Sequence, residues 1–176
     1  MTAKISYEFI FGSYEDALQM VGVRTEPRFA GTVVSAARIQ HFAAMVRDGN
    51  PSYWDDDFAA RAWGGLVAPP ALLMGLVIPP PWLPTGAPRV ASIAIRVPLP
   101  GNAFVNATND AEFPTAILAG DRLSVVEEVM SVSPEKKTHR GVGHFVETCE
   151  TYRRDDGTVV AINRNTLFRF TPTAQP

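Results

Sequence analysis

The most informative stretch of the chain, residues 48–73, reads DGNPSYWDDDFAARAWGGLVAPPALL. Its first four residues predict a loop, because glycine and asparagine tolerate turn conformations and proline restricts the residue before it. Three aspartates at 55–57 precede an apolar segment at 58–63, and negative charge there stabilises the positive end of a helix dipole. Paired prolines fit the unpaired first turn of a second, apolar helix at 70–77. We therefore expect a polar loop, a capped helix and a buried helix, in that order.

Two helices and a short strand are predicted ahead of this stretch. Ser13 is placed to cap a helix over 14–21, and residues 29–34 alternate as a strand does. Ser35 is placed to cap a longer helix, whose apolar residues recur at three- and four-residue spacing: Ile39, Phe42, Ala43 and Val46.

After the buried helix, the sequence changes to segments rich in valine, isoleucine, threonine and aromatic residues, separated by turns with proline or glycine. The predicted strands are 90–97, 103–108, 122–132, 139–153 and 159–170. Asp155-Asp156-Gly157 predicts a hairpin between the last two, because glycine adopts the positive φ that tight hairpin turns need. Helices followed by strands indicate an α+β domain in which a buried helix packs on one face of a curled antiparallel sheet.

The composition limits the class of protein. With 176 residues, 46% of them hydrophobic, the chain can bury one sizeable core, and we expect a single domain over 1–176. Its formal charge of −2 gives no electrostatic reason to expect nucleic acid or anionic membranes as partners. Prolines interrupt the longest apolar run, 64–81, so we expect no membrane-spanning helix. A single cysteine and the lack of a secretion-type leader favour the cytoplasm.

Residues 48–73 resemble the MaoC-like hydratases, which are hot-dog-fold (R)-specific enoyl-CoA hydratases and dehydratases. The resemblance is to the branch related to the dehydratase of type I fatty-acid synthases, whose members often read Asn-Pro-x-Tyr and Val-Ala-Pro-Pro here. It extends over most of the chain, including the strand opening at Gly120-Asp121 and the closing strand pair within 151–170. It implies a single hot-dog domain that acts on or binds an acyl-CoA thioester. The chain has no serine-nucleophile motif and no histidine-rich metal spacing, so we expect no cofactor and no metal.

In that family the active loop reads Gly-Asp-x-Asn-Pro-x-His-x-Asp, and Ala-His-Gly follows at the start of the buried helix. The resemblance places the motif's first aspartate at Asp48, its asparagine at Asn50 and its proline at Pro51, but Tyr53 stands where the histidine belongs. Hydration needs a base near neutral pH, and a phenol with a pKa of about 10 is almost wholly protonated there. The glycine whose N–H faces the thioester oxygen corresponds to Pro70, which has no N–H.

These two replacements predict a catalytically degenerate copy of the family site. The resemblance implies a use for such a copy, because this superfamily contains hot-dog halves that form the acyl pocket of a heteromeric hydratase while a partner supplies the catalytic groups. A domain of this length has no room for a second hot dog, so we expect a separate partner polypeptide or, at least, a dimer. The pocket is expected to take a fatty acyl or steroid side chain and to involve Asn50, Pro69, Pro70 and Trp82.

Alternatives stay open at this level. Asp48 is either a remnant of the catalytic dyad or part of an Asx turn, and the Tyr53 hydroxyl is also a possible donor to a thioester oxygen. The chain could be a homodimeric module that binds acyl-CoA without converting it, an active hydratase that uses Asp48 and Tyr53, or a hot-dog thioesterase. Four arginines are candidates either for steering coenzyme A phosphates or for solvated surface: Arg140, Arg153, Arg164 and Arg169.

Overall fold

A computed structural model describes residues 9–78 and 92–173 as short helices followed by a large antiparallel sheet. The helices are α1 (Tyr14–Leu18), α2 (Ala36–Val46), α3 (Asp56–Trp63), α4 (Leu73–Val77) and α5 (Ile93–Arg96), with 3-10 turns at Pro51–Tyr53 and Pro70–Leu72. The strands are β1 (Arg28–Phe29), β2 (Ala103–Glu112), β3 (Leu123–Val132), β4 (Lys136–Thr138), β5 (Gly141–Arg154) and β6 (Val159–Pro172). No helix among the described residues is long and apolar enough to cross a membrane.

The predicted helix caps are confirmed. Ser13 and Asp16 form a reciprocal capping box at the start of α1, and the Ser35 hydroxyl accepts from Arg38 N at 3.3 Å. The Asp55 carboxylate accepts from Phe58 N at 2.9 Å at the start of α3. Each side chain satisfies a backbone donor that the helix itself leaves free.

Helix α1 ends at Leu18, three residues earlier than predicted, because the chain beyond it bonds to the sheet. Gly22 N donates to Val129 O at 2.8 Å, and Val129 N donates to Val23 O at 3.1 Å. The predicted strand at 29–34 is likewise shortened to Arg28–Phe29. Beyond that strand, Ala30 and Val34 keep backbone bonds to the segment 120–123 but form no continuous ladder.

The sheet has the order β1-β3-β5-β6-β2, with β4 paired to β5, and every pair is antiparallel. The predicted hairpin between β5 and β6 is confirmed, and Gly157 has a φ of 85° there. Strands β3, β5 and β6 agree with prediction within two residues, whereas β2 extends four residues further, to Glu112. Register shifts interrupt three strand pairs, and such bulges increase twist and bend. The predicted curled antiparallel sheet is confirmed.

The predicted strand over 90–97 is wrong for its described part, which is helical over Ile93–Arg96. The Ser92 hydroxyl caps this turn by accepting from Ala94 N at 3.1 Å. Glu127, on β3, accepts from Ile93 N at 2.9 Å. The tertiary contact outweighs the strand preference of the apolar residues, because strand propensity depends strongly on context. Residues 90 and 91 lie outside the described part of the chain.

Within the described residues, two apolar clusters form the core on the concave side of the sheet, where the helices pack. The first packs α2, α3 and α4 against one end of the sheet, and α4 contributes Leu73, Leu76 and Val77. The second packs α1 and α5 against the other end, around Val129 and Val146. Helix α4 lies where the sequence predicts a buried helix, but it buries one face only, because Met74 and Gly75 are exposed.

Candidate functional site

The loop after α2 is held in shape by its own side chains. Asp48 Oδ1 accepts from Asn50 N at 3.0 Å, and Asn50 Oδ1 accepts from Ser52 N at 3.0 Å. Two successive Asx turns therefore lead into the 3-10 turn at Pro51–Tyr53. Both Asp48 and Asn50 are exposed, so this hydrogen bonding is local and does not reach into the core.

Two indole rings fix the same loop from outside. Trp54 Nε1 donates to Asp48 O at 2.8 Å, and Trp63 Nε1 donates to Ser52 Oγ at 3.0 Å. Both rings remain substantially exposed. Each ring bonds to the loop through its polar N–H and keeps an apolar body, as is common for tryptophan at a protein surface.

Tyr53 is the loop residue that turns into the core, where 8% of it is exposed. Burial raises the pKa of its phenol, the negative charge of Asp48 raises it further, and a hydrogen bond with Asn50 opposes both. The structure thus brings together Asp48, Asn50 and Tyr53, as the motif predicts. At neutral pH their chemistry is that of a protonated phenol, which donates a proton in a hydrogen bond and is a poor base.

The entry to the buried helix offers no amide hydrogen at its first position. Pro70 is the first residue of the 3-10 turn, and its imino nitrogen carries no hydrogen. Pro69 is buried and accepts from Leu72 N at 2.8 Å, whereas Pro70 is exposed. The preceding chain is held in place by the bond from Ala68 N to Ile117 O at 2.7 Å. Trp82, the remaining expected pocket residue, lies outside the described residues.

A second group of polar residues, which the sequence did not predict, lies on the concave side of the sheet. This polar band consists of Glu127 on β3, Thr148 and Glu150 on β5, and Asn163 and Asn165 on β6. Glu127 is directly opposite Glu150, which is opposite Asn163, and Thr148 is opposite Asn165. Directly paired residues share a face of the sheet, so all five side chains are on the concave side, where the band separates the two apolar clusters.

Glu127 is buried between β3 and α5. Its carboxylate accepts from Ile93 N at 2.9 Å and from the Ser92 hydroxyl. Burial raises the pKa of Glu127, the hydrogen bonds from Ser92 and Ile93 oppose this, and the negative charge of Glu150 raises it again. The protonated form of Glu127 is therefore favoured relative to a free glutamate.

Glu150 collects two donors on one oxygen. Tyr152 Oη donates to Glu150 Oε2 at 2.6 Å, and Asn163 Nδ2 donates to the same oxygen at 2.9 Å. Burial, followed by the charge of Glu150, raises the pKa of Tyr152, so its phenol keeps its proton. The band thus combines one carboxyl with a raised pKa and a second carboxylate anchored by neutral donors.

Two oxygens of the band have no partner. Thr148 Oγ1 and Asn163 Oδ1 are fully buried and make no hydrogen bond within the described residues. The band borders a cavity of about 310 Å³, with Met74, Ile95 and Leu167 among its apolar walls. Buried polar atoms without a hydrogen-bond partner are rare in folded proteins.

One signal in the sequence could have found the band. In β3 the buried positions alternate, so Glu127 has the same parity as Val125 and Val129. Thr148 likewise has the parity of Val146 in β5. A polar residue at a core-facing position of a strand is unusual and needs a partner.

Arg169 contradicts the expectation that the four arginines are at the surface. It is fully buried, its guanidinium lies 4.5 Å from the centre of the Phe9 ring, and burial lowers its pKa. It donates to four backbone carbonyls: Ile10, Ile95, Val97 and Gly101. It therefore fastens the N-terminal segment and α5 to the sheet. The other three arginines are exposed, and their contact with coenzyme A stays a prediction: Arg140, Arg153 and Arg164.

Within residues 9–78 and 92–173, no three His, Cys, Asp or Glu side chains are grouped as metal ligands. The polar band has two carboxyl groups, Glu127 and Glu150, and each of them accepts two hydrogen bonds from neighbouring residues. The described site therefore offers hydrogen bonds and an apolar cavity.

Comparison with known proteins gives consistent matches. The family model described as the FAS1-like dehydratase domain region matches residues 19–163. A probable enoyl-CoA hydratase alpha subunit from Thermomonospora curvata is 38% identical over 174 residues, which cover 90% of this chain and 52% of that protein. The 3-oxo-4,17-pregnadiene-20-carboxyl-CoA hydratase alpha subunit of Mycobacterium tuberculosis is 32% identical over 162 residues, covering 86% and 50%. The chain spans about half the length of these curated relatives.

Among solved structures, the ChsH1-ChsH2 complex from Mycobacterium tuberculosis contains a chain that superposes with a TM-score of 0.73. The match covers 92% of this chain and 93% of that one, at 23% sequence identity. An identity this low shows the fold alone, and that fold is the predicted hot dog.

Proposed function

Since this chain belongs to the family of FAS1-like dehydratase domain regions, within the MaoC-like hot-dog superfamily, we propose that it is a subunit of an enoyl-CoA hydratase. In this proposal it is the catalytically degenerate half, which forms the acyl pocket for a fatty acyl or steroid side-chain thioester. A partner hot-dog subunit supplies the catalytic groups. The names of the two relatives support the proposal, because both are alpha subunits of hydratases.

The observation that carries the proposal is the pair of replacements at Tyr53 and Pro70. Adding water to a conjugated C=C requires a base to take a proton from water while the oxygen bonds to the β-carbon. Negative charge then collects on the thioester oxygen, which needs a donor. Tyr53 has a pKa raised by burial, and Pro70 has no N–H. A base contributes about 10²–10⁴-fold and an oxyanion donor about 10²–10³-fold, so lacking both leaves little activity at this copy.

The cavity between α4, α5 and the concave face supports the pocket-forming role. Its walls carry apolar side chains from both helices, Met74 from α4 and Ile95 from α5. The degenerate loop keeps a defined shape through the two Asx turns of Asp48 and Asn50. In the proposed complex this chain binds and orients the acyl group, while proton transfer takes place in the partner.

The test is hydration of trans-2-enoyl-CoA, followed by loss of the conjugated enoyl absorbance. The isolated chain should hydrate the enoyl-CoA no faster than buffer alone does. Activity should appear when the chain is co-expressed with a hot-dog subunit whose loop carries the intact Asp-x-x-x-x-His. Turnover by the isolated chain that disappears in Tyr53→Phe would overturn the proposal and make this loop an active site.

A binding module without catalysis is a second candidate, and the cavity beside the polar band favours it. Calorimetry with a saturated acyl-CoA separates the two functions. Binding together with no activity beside any catalytic subunit would favour the module. Binding together with activation of the partner would favour the hydratase subunit.

A further inference from the structure

We propose that the cavity beside the polar band selects its ligand by charge: it takes an apolar group whose end is neutral or positively charged, and it excludes one that ends in a carboxylate. In this proposal Glu150 determines the specificity. The inference deepens the proposed function, on which it rests for the identity of the ligand as an acyl group. The charge preference follows from the residues that line the cavity.

The described residues that line the cavity include acidic side chains and no lysine, arginine or histidine. The two ionisable ones are Glu127 and Glu150, which are directly opposite each other on β3 and β5. The remaining polar residues of the lining are neutral hydroxyls and amides: Ser92, Asn106, Asn109, Thr148, Asn163 and Asn165. Neutral groups of this kind form hydrogen bonds, but they do not neutralise a carboxylate.

Glu150 is the residue of this pair that carries the negative charge of the cavity. It is half-buried, and the two hydrogen bonds that it accepts come from the neutral side chains of Tyr152 and Asn163. A glutamate is ordinarily ionised at neutral pH, and neutral donors leave its full charge in place. Glu127 differs, because burial raises its pKa and favours its neutral form.

A cation does act on this part of the sheet, but it is not among the residues that line the cavity. Burial and the charge of Glu150 raise the pKa of the Tyr152 phenol, and the charge of Arg28 opposes them. The Arg28 guanidinium donates to Val77 O at 2.7 Å, at the end of α4. Among the described residues, the ion pairs do not join Arg28 to either glutamate of the band. Arg28 therefore weakens the negative field without neutralising the carboxylate.

The apolar walls of the cavity increase the effect of this charge. Met74 on α4, Ile95 on α5 and Leu167 on β6 exclude water from part of the space. Charges interact more strongly where water screens them less, and the interaction acts across the cavity without contact between the ligand and the carboxylate. A second carboxylate in this space would lose its hydration and be repelled, whereas an ammonium group would be attracted.

The test compares three probes that share one apolar bicyclic body and differ in charge: 2-(aminomethyl)naphthalene, 2-(hydroxymethyl)naphthalene and 2-naphthoate. Binding to the full chain at neutral pH is measured by calorimetry. We expect the protonated amine to bind at least about tenfold more tightly than the carboxylate, because a nearby unit charge acts on the two with opposite sign. The neutral alcohol should lie between them.

Two matched variants locate the charge that sets this ratio of affinities. Glu150→Gln keeps an oxygen that accepts from Tyr152 and Asn163 but has no charge, so the ratio should fall to about threefold or less. Glu147→Gln makes the same change on the same strand. Glu147 pairs with Thr166 on the opposite face of the sheet, so the ratio should stay within about twofold of its value in the natural chain.

Equal affinities for the amine and the carboxylate, no binding of any probe, or a ratio that Glu150→Gln leaves unchanged would each overturn the inference. Equal reductions in the two variants would also overturn it, because net charge would then set the preference. If Glu150→Gln fails to fold, as judged by circular dichroism, the three probes on the natural chain still decide. The probes contain no thioester and need no catalytic partner. A charge preference without activation of a partner would contradict the hydratase proposal alone, and activation without a charge preference would contradict this inference alone.

Discussion

The loop at 48–53 and the polar band on the sheet contain similar residue types, but these residues differ in their burial and in where their hydrogen-bond partners come from. In the loop, Asp48 and Asn50 are exposed, and their side-chain oxygens accept from backbone donors two residues away. In the band, Glu127 and Asn163 are buried, and their partners come from other elements. In the loop, the side chains of Asp48 and Asn50 each have a backbone donor as a partner. The band keeps two buried oxygens without a hydrogen-bond partner among the described residues.

The difference teaches where to look for function in a degenerate family member. The loop has the family's motif, yet the residues that remain form turns, and the buried phenol of Tyr53 is a weak base. The band matches no motif, yet it holds a buried carboxyl with a raised pKa beside a cavity. A buried carboxyl beside a cavity is a stronger pointer to function than a motif whose remaining residues form turns.

The largest effect on stability is expected for Glu127→Ala. The substitution leaves the Ile93 N–H and the Ser92 hydroxyl without their acceptor in a buried place. Each unpaired buried donor costs about 1–3 kcal/mol, so we expect the free energy of unfolding to fall by about 3 kcal/mol in urea titrations. The neighbouring Glu128→Ala is the control. It removes only an ion pair with the exposed Arg24 and should cost about 1 kcal/mol or less. Equal losses in the two variants would contradict the difference between band and surface.

A matched pair of tyrosines gives the next largest effect. Tyr152→Phe removes a buried donor to Glu150 at 2.6 Å, and hydrogen bonds to charged groups contribute about 1.5–3 kcal/mol. Tyr53→Phe removes a phenol whose polar neighbours, Asp48 and Asn50, are exposed, and should cost about 1 kcal/mol or less. Urea unfolding of both variants checks the order. A larger loss for Tyr53→Phe would show that the loop, and not the band, holds the more strongly bonded phenol.

Features that depend on residues close together in the sequence were predicted correctly, and features that depend on distant residues were missed. The caps at Ser13, Ser35 and Asp55 depend on residues three positions away, and all three were predicted. Helix α5 was missed because its acceptor, Glu127, is 34 residues from Ile93 along the chain.

The sites divide in the same way. The structure brings Asp48, Asn50 and Tyr53 together as the motif predicts, since they are contiguous. The band depends on the register of three strands, which no local pattern determines. Arg169 was expected at the surface, and its burial depends on carbonyls up to 159 residues away.

The smallest expected effect is a pH dependence. Because burial raises the pKa of Glu127, the folded protein holds this proton more tightly than the unfolded chain does. The resulting stabilisation is complete below the ordinary glutamate pKa and is lost as the pH rises through the folded pKa. Glu127→Gln keeps an acceptor and cannot titrate, so its stability relative to the natural protein should increase as the pH rises from 4 towards neutrality, with pH 4 taken just below a glutamate pKa of about 4.3. Urea unfolding of both proteins across this range measures the difference, and a constant difference would show that Glu127 titrates normally.

The most direct test of the central claim uses the two-subunit complex and asks which loop performs the chemistry. The value of kcat/KM for a trans-2-enoyl-CoA is measured for Tyr53→Phe in this chain and, separately, for replacement of the histidine in the partner's loop by alanine. Our account predicts a change within about twofold for Tyr53→Phe and a loss of about 10²-fold or more for the histidine replacement. A loss of that size in Tyr53→Phe, with the partner's histidine dispensable, would contradict it.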